Sequence, residues 1–178
     1  MTTAKIQTMT MIALMTALIC ILGPLALPIG PVPISLTPLA VFLSVYILGM
    51  KRGGIAYILY LLIGLVGLPV FSGASGGPQK LFGPTGGYLF GFAIMAFVAG
   101  FFIDRYYKSI HLQFLGMLLG LFLCYVFGSL WLSISASMTL KAAVAAGVLP
   151  FVILDIIKIV LSIILGRQIR NRLSSLHL

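Results

Sequence analysis

The sequence predicts an all-α integral membrane protein, a single domain over residues 1–178 with six transmembrane helices and both N- and C-termini cytoplasmic. Three observations carry this expectation. Hydrophobic residues fill 61% of 178 positions and charged residues 7%, with a mean hydropathy of +1.23. That leaves too little polar surface to cover a water-soluble globule. At about 20 apolar residues per span, the length holds about six or seven helices and no extramembrane domain. Basic residues also gather at the ends of alternate apolar runs, as orientation in a bilayer requires.

The first run, Met9 to Leu27, follows a lone Lys5. It is expected to be a retained helix, because Gly23 to Pro28 lacks a small-x-small cleavage pattern and the run is long for a signal sequence. Pro24, Pro28, Pro31, Pro33 and Pro38 then impose a structured loop or re-entrant turn, each lacking a backbone donor. The second span is expected from about Leu36 to Met50. A tight basic turn at Lys51-Arg52-Gly53-Gly54 leads into a third span ending near Phe71. Ser72 to Gly87, with Pro78 and Pro84, cannot face lipid and must lie in water or be buried in protein. The fourth span is expected over about Tyr88 to Ile103, and the fifth over about Leu112 to Leu132 with Trp131 near an interface. Ser133 to Leu149 is a connection with a short helical patch. The sixth span, Phe151 to Leu165, is followed by Arg167, Arg170 and Arg172.

A net charge of +9 does not imply a nucleic-acid partner, since the cations are singles and pairs at helix ends without a clustered basic face. With the N-terminus in the cytoplasm, Lys5, Lys51, Arg52, Arg105, Lys108, Arg167, Arg170 and Arg172 fall inside, and Lys80 and Lys141 outside. The long Pro/Gly-rich connections then share the outer face, a layout suited to receiving a ligand from outside.

Asp155 and Lys158 supply the sharpest chemical signal, about one turn inside the outer end of the sixth span. Each charge costs roughly 2.5–3.5 kcal/mol at a helix centre and less near an interface, so both should face the bundle or a cavity. Their i, i+3 spacing stacks them on one face, where they neutralise each other or share a polar ligand. Such a pair sums to zero. An anionic ligand would therefore place its carboxylate toward the mouth, near water, Lys80 or Lys141, with Asp155 accepting from ligand N–H groups and Lys158 donating to a ligand oxygen.

Gly73 to Lys80 and Gly83 to Tyr88 lack the spacing of a phosphate-cradling loop. A flexible linker is the plain alternative to a ligand lid or pocket wall. Ser75, Gln79, Thr85 and Tyr88 are the candidate ligand contacts there by chemistry and location. Ala13 and Ala17, Gly87 and Gly91, and Gly116 and Gly120 are small residues four apart that permit close helix contact, on pattern alone within the bundle. Cys20 and Cys124, far apart in apolar runs, read as packing residues and support neither a disulfide framework nor a metal site. His111 and His177 lie at helix ends, and no Ser/His/Asp constellation assembles, so no enzyme and no cofactor is expected. A channel would show a polar stripe or ring of like charges. A stand-alone secondary transporter for a small vitamin-like substrate is the alternative transport reading. It would rest on Asp155 as its sole intramembrane acid and on an internal repeat that is not visible.

Four ordered blocks resemble the biotin-specific S components of energy-coupling factor transporters, the BioY family. They are Gly30-Pro31-Val32-Pro33-Ile34-Ser35-Leu36, Tyr60 to Phe71, Gly83-Pro84-Thr85-Gly86-Gly87-Tyr88, and Pro150-Phe151 leading into Asp155 and Lys158. The resemblance spans nearly the whole chain. It implies a six-helix substrate-capture subunit of the bacterial plasma membrane, which binds biotin from outside. Its implied partners are one transmembrane scaffold subunit and two ATPase subunits, the chain itself having no ATP-binding signature. Asp155 and Lys158 match the family's paired polar residues, and Ala13 and Ala17 match the face of the first helix that docks on the scaffold. Thr37 stands where many members carry Gln, and Ile153-Leu154 where a Pro-Gly-like pair is frequent.

Overall fold

The computed structural model describes residues 3–28 and 32–175. Gly30, Pro31 and His177 lie outside the described residues. Helix α1 covers Thr3–Leu22, and a two-stranded antiparallel ribbon pairs β1 (Ala26–Leu27) with β2 (Ile34–Ser35). There follow α2 (Thr37–Leu65), the single turn α3 (Pro78–Leu81), α4 (Gly86–Arg105), α5 (Ile110–Ser135), α6 (Leu140–Gly147) and α7 (Val152–Ser175).

Among the described residues, four helices are long and apolar enough to cross a membrane: α1, α2, α4 and α5. The pair α6 and α7, bent by 48° across residues 148–151, makes a fifth if taken as one span. The second and third expected spans are the two halves of α2, and the break between them lies at Gly49 rather than in Lys51 to Gly54. Gly49 adopts φ 82°, ψ 175°, a region essentially closed to side chains. The chain doubles back there. A Cβ on Gly53 would lie 2.6 Å from the Val45 Cα, whereas residues eight apart in a straight helix are separated by about 12 Å. Thus α2 is two antiparallel arms, with Lys51 and Arg52 exposed at the reversal.

Other boundaries shift for local reasons. Gly23-Pro24 stops α1 at Leu22 instead of Leu27, since Pro disfavours helix for its predecessor. The second arm of α2 stops at Leu65 instead of Phe71, where Gly67 at φ 109° and Pro69 break the run. In contrast, α7 continues beyond Leu165 because residues 167–173 carry mostly good helix formers, three Arg, a Gln and a Leu.

The helices pack most extensively as α4 on α5, then α2 on α4, with α1 and α7 both laid on α2 and α6 on α5. Small residues set the α4–α5 seam. A Cβ on Gly91 would lie 2.9 Å from the Cys124 sulfur, one on Gly120 3.0 Å from the Met95 carbonyl, and one on Gly116 would run into Phe102. These pairs are internal packing, as the spacing predicted, and Cys124 is a buried packing residue. Ala13 and Ala17, by contrast, are exposed on α1.

At the turn end a polar network joins four elements. The Asp104 carboxylate accepts from the Met50 N–H at 2.7 Å and from Arg170 at 3.1 Å. Arg170 also donates to the Tyr46 carbonyl at 3.1 Å and lies 4.8 Å over the Tyr107 ring. The Tyr46 hydroxyl donates to Gln113, which in turn donates to the Tyr106 and Tyr107 carbonyls. This clamp fixes the reversal of α2 against α4, α5 and α7.

Gly49→Ala combines a disfavoured conformation with a Cβ 2.8 Å from an Asp104 oxygen, so it is expected to cost roughly 1–3 kcal/mol. Thermal melting in detergent checks this; a melting temperature equal to wild type would contradict the assignment of the reversal to Gly49.

Candidate functional site

The end of α7 remote from this clamp carries Asp155 and Lys158. Pro150 and the bend before Val152 start the helix, and the Asp155 N–H donates to the Phe151 carbonyl at 2.8 Å in its first turn. The i, i+3 spacing brings the Lys158 Nζ within 2.7 Å of Asp155 Oδ1, with side chains only 8% and 4% exposed. Two buried charges persist only where the remaining donors and acceptors are satisfied. Lys158 also donates to the Ser35 carbonyl at 2.8 Å, and the Tyr125 hydroxyl donates to Asp155 Oδ2 at 2.6 Å. The β1–β2 ribbon holds that carbonyl in place, while the Ser35 hydroxyl donates to Thr37 Oγ1 at 3.1 Å at the start of α2.

This pair lines a cleft of about 540 Å³ empty volume, part of it open to solvent. One wall is apolar, from Val32, Pro33, Leu89, Phe92 and Phe151; Ser35, Thr37, Ser72, Thr85, Tyr88 and Tyr125 also line the cleft, and of these Ser35 and Tyr125 bond the charged pair directly. Such a cleft fits a ligand with an apolar body and a compact hydrogen-bonding head. Gly147 completes the wall, and a Cβ there would run into the Tyr88 hydroxyl.

The sequence model of the BioY family matches residues 1–175. The chain belongs to the BioY family. It is 39% identical over 175 residues to the biotin transporter BioY2 of Lactococcus lactis subsp. cremoris, covering 98% of this chain and 96% of that one. It is likewise 39% identical over 156 residues to the biotin transporter BioY of Thermotoga maritima, covering 88% and 91%. Among solved structures, it resembles the S-component for biotin from an ECF-type ABC transporter with a TM-score of 0.88 and 34% identity, covering 96% of this chain and 95% of that one.

In this BioY-family chain the structure brings together four of the six predicted ligand contacts: Asp155, Lys158, Thr85 and Tyr88. Ser75 and Gln79 do not line the cleft. The Ser75 hydroxyl donates to the Ser72 carbonyl at 2.9 Å and its backbone bridges Phe71, so it shapes the turn that presents Ser72. Gln79 is exposed on α3. Neither Lys80 nor Lys141 lines the cleft; Lys80 is half-buried on α3, where desolvation lowers its ammonium pKa from the usual lysine value.

The Gly-rich segment is a pinned wall. Phe71 is fully buried against Tyr60 at 5.4 Å between ring centroids, and Gly73 and Gly77 donate to the Pro24 and Gly64 carbonyls. Trp131 holds the segment from below by donating to the Gly83 carbonyl at 2.9 Å. Sequence reasoning missed Tyr125, whose signal was a hydroxyl inside an apolar span that needs a partner. It also missed Ser72 and Phe92, which no local pattern separates from loop and core residues.

Removing one member of the buried pair strands the other. Asp155→Leu is expected to cost about 3–5 kcal/mol, and the double variant Asp155→Leu/Lys158→Met to recover much of that. Denaturant or thermal unfolding in detergent reads both; a double variant less stable than the single one would contradict a self-contained pair.

Proposed function

We propose that this chain is the biotin-capture subunit of an energy-coupling factor transporter. It takes biotin from the outer face of a bacterial plasma membrane and delivers it through a module of one transmembrane scaffold subunit and two ATPase subunits. The observation that carries this reading is the buried Asp155–Lys158 pair at the polar end of an otherwise apolar cleft, in a chain whose full-length relatives are named biotin transporters.

Biotin has the chemistry the cleft asks for. Its ureido head offers N–H donors to Asp155 and an oxygen acceptor to Lys158, and its fused rings suit the Phe92, Phe151 and Leu89 wall. Because the pair is neutral, the carboxylate tail points to the mouth, past Ser72 and Thr85, where water solvates it. The chain acts by binding and transport, not catalysis. A secondary transporter would need a coupling-ion site; the one acid in the cleft, Asp155, is instead paired with Lys158 and accepts from Tyr125.

Each of the six helical arms is one crossing, the two arms of α2 counting separately. The first arm, residues 37–48, rises only about 18 Å, and residues 32–36, partly buried against the bundle, complete its passage alongside protein rather than in lipid. The reversal with Lys51 and Arg52, the Asp104-Arg105 end of α4 and Arg170 share one face, which is cytoplasmic by the positive-inside rule. The cleft then opens outward. Exposed Ala13 and Ala17 form the smooth face of α1 that docks on the scaffold, where close helix contact needs small residues.

Equilibrium titration of the purified chain tests the capture site. Biotin binds, thiamin and riboflavin do not, and Asp155→Asn and Lys158→Ala each weaken biotin by about 10–100-fold, the size of a lost charged hydrogen bond. Unchanged affinity in both variants would remove the pair from the site. In cells, Ala13→Trp/Ala17→Trp is expected to keep biotin binding while abolishing module-dependent uptake; uptake at the wild-type rate would refute docking through this face.

A further inference from the structure

The clamp end of the molecule has a second cleft, of about 770 Å³ empty volume, between the α2 reversal and the end of α4. Lys51, Arg52 and Arg105 line it together with Asp104, Leu48 and Phe101. Lys51, Arg52 and Arg105 are exposed, and none forms an ion pair with a described side chain. The sequence holds only two acidic residues, and both are engaged: Asp155 with Lys158, Asp104 with Arg170 and the Met50 N–H. No further carboxylate side chain exists in the sequence to balance three like charges gathered in one groove.

The groove continues into an apolar track. Ile94, Phe97 and Phe101 are exposed large side chains on one face of α4, spaced i, i+3, i+7 along about 10 Å of helix. Phe97 lies against the second arm of α2, where a Cβ on Gly54 would come 2.7 Å from its ring. Basic pockets between membrane helices on the cytoplasmic side are suited to anionic headgroups.

We propose that this groove binds one anionic phospholipid, its phosphate among Lys51, Arg52 and Arg105 and an acyl chain along Phe101, Phe97 and Ile94. The occupant is a lipid rather than a free phosphate because the cationic end and the apolar track are continuous. The bound lipid braces the α2 reversal against α4 beside the Asp104–Arg170 clamp.

The purified chain, delipidated in neutral detergent, is titrated with phosphatidylglycerol and with phosphatidylcholine, and lipid adducts are counted by native mass spectrometry. One phosphatidylglycerol is expected to bind in preference to phosphatidylcholine, without competition from millimolar inorganic phosphate. Lys51→Gln/Arg52→Gln/Arg105→Gln weakens it by roughly 100-fold, about fivefold per cation, whereas Lys5→Gln/Lys108→Gln/Lys141→Gln, which removes equal charge elsewhere, loses less than about fivefold in all. Lys51→Arg retains binding, and circular dichroism confirms that each variant is folded. Equal losses in both triple variants, or displacement by inorganic phosphate, would overturn a built lipid site. Lipid binding intact in the groove variant, with the coupling module no longer co-purifying, would assign the groove to an acidic protein partner and overturn it as well.

Discussion

A buried ion pair whose two members each take a second hydrogen bond from elsewhere in the chain is the constraint around which this structure is arranged. Two charges inside an apolar helix are tolerable only if hydrogen bonds beyond the pair itself offset their desolvation. Meeting that requirement draws in three distant parts of the chain. The Ser35 carbonyl must arrive from the first loop, the Tyr125 hydroxyl from α5, and the charges themselves from α7. Proline in the first loop and the short β1–β2 ribbon are what hold a backbone carbonyl at that depth. The cleft is therefore a consequence of satisfying the pair, since the same elements enclose it.

The opposite end solves a different problem. A chain that reverses within one helical element leaves backbone groups without helical partners. Asp104 and Arg170 supply them, the first accepting from the Met50 N–H and the second donating to the Tyr46 carbonyl. Both solutions involve α7, which carries Lys158 at one end and Arg170 at the other. Glycines along the α4–α5 seam then let the remaining helices close without side chains holding them apart. In this arrangement the only two acids of the sequence are each spent on one end of the bundle.

Much of this was legible because lipid makes charge conspicuous. Asp155 and Lys158 stood out as ions in an apolar run, and Thr85 and Tyr88 as polar groups beside a segment that could not face lipid. The small residues of α4 and α5 read correctly as packing. What stayed hidden depended on tertiary contact. Tyr125 looks like any aromatic in an apolar helix until Asp155 is placed beside it. Gly49 was overshadowed by the Lys51-Arg52-Gly53-Gly54 turn signal, although its positive φ is what reverses the chain. Ser75 and Gln79 had suitable chemistry, but the bridge between Phe71 and Ser75 points the loop's contribution through Ser72 instead. Helix ends moved where Gly-Pro or Gly-x-Pro cut a run short, or where Arg residues extended one.

Under the proposed function, a neutral pair recognises an anionic ligand by its head, with the charge left outside. A crystal structure of the chain with biotin bound tests it most directly. The expected complex has the ureido N–H and oxygen within about 3.2 Å of Asp155 and Lys158, the fused rings against Phe92 and Phe151, and the carboxylate at the mouth beyond Thr85. A carboxylate seated on Lys158 with the ureido head turned outward, or biotin bound elsewhere in the bundle, would contradict it.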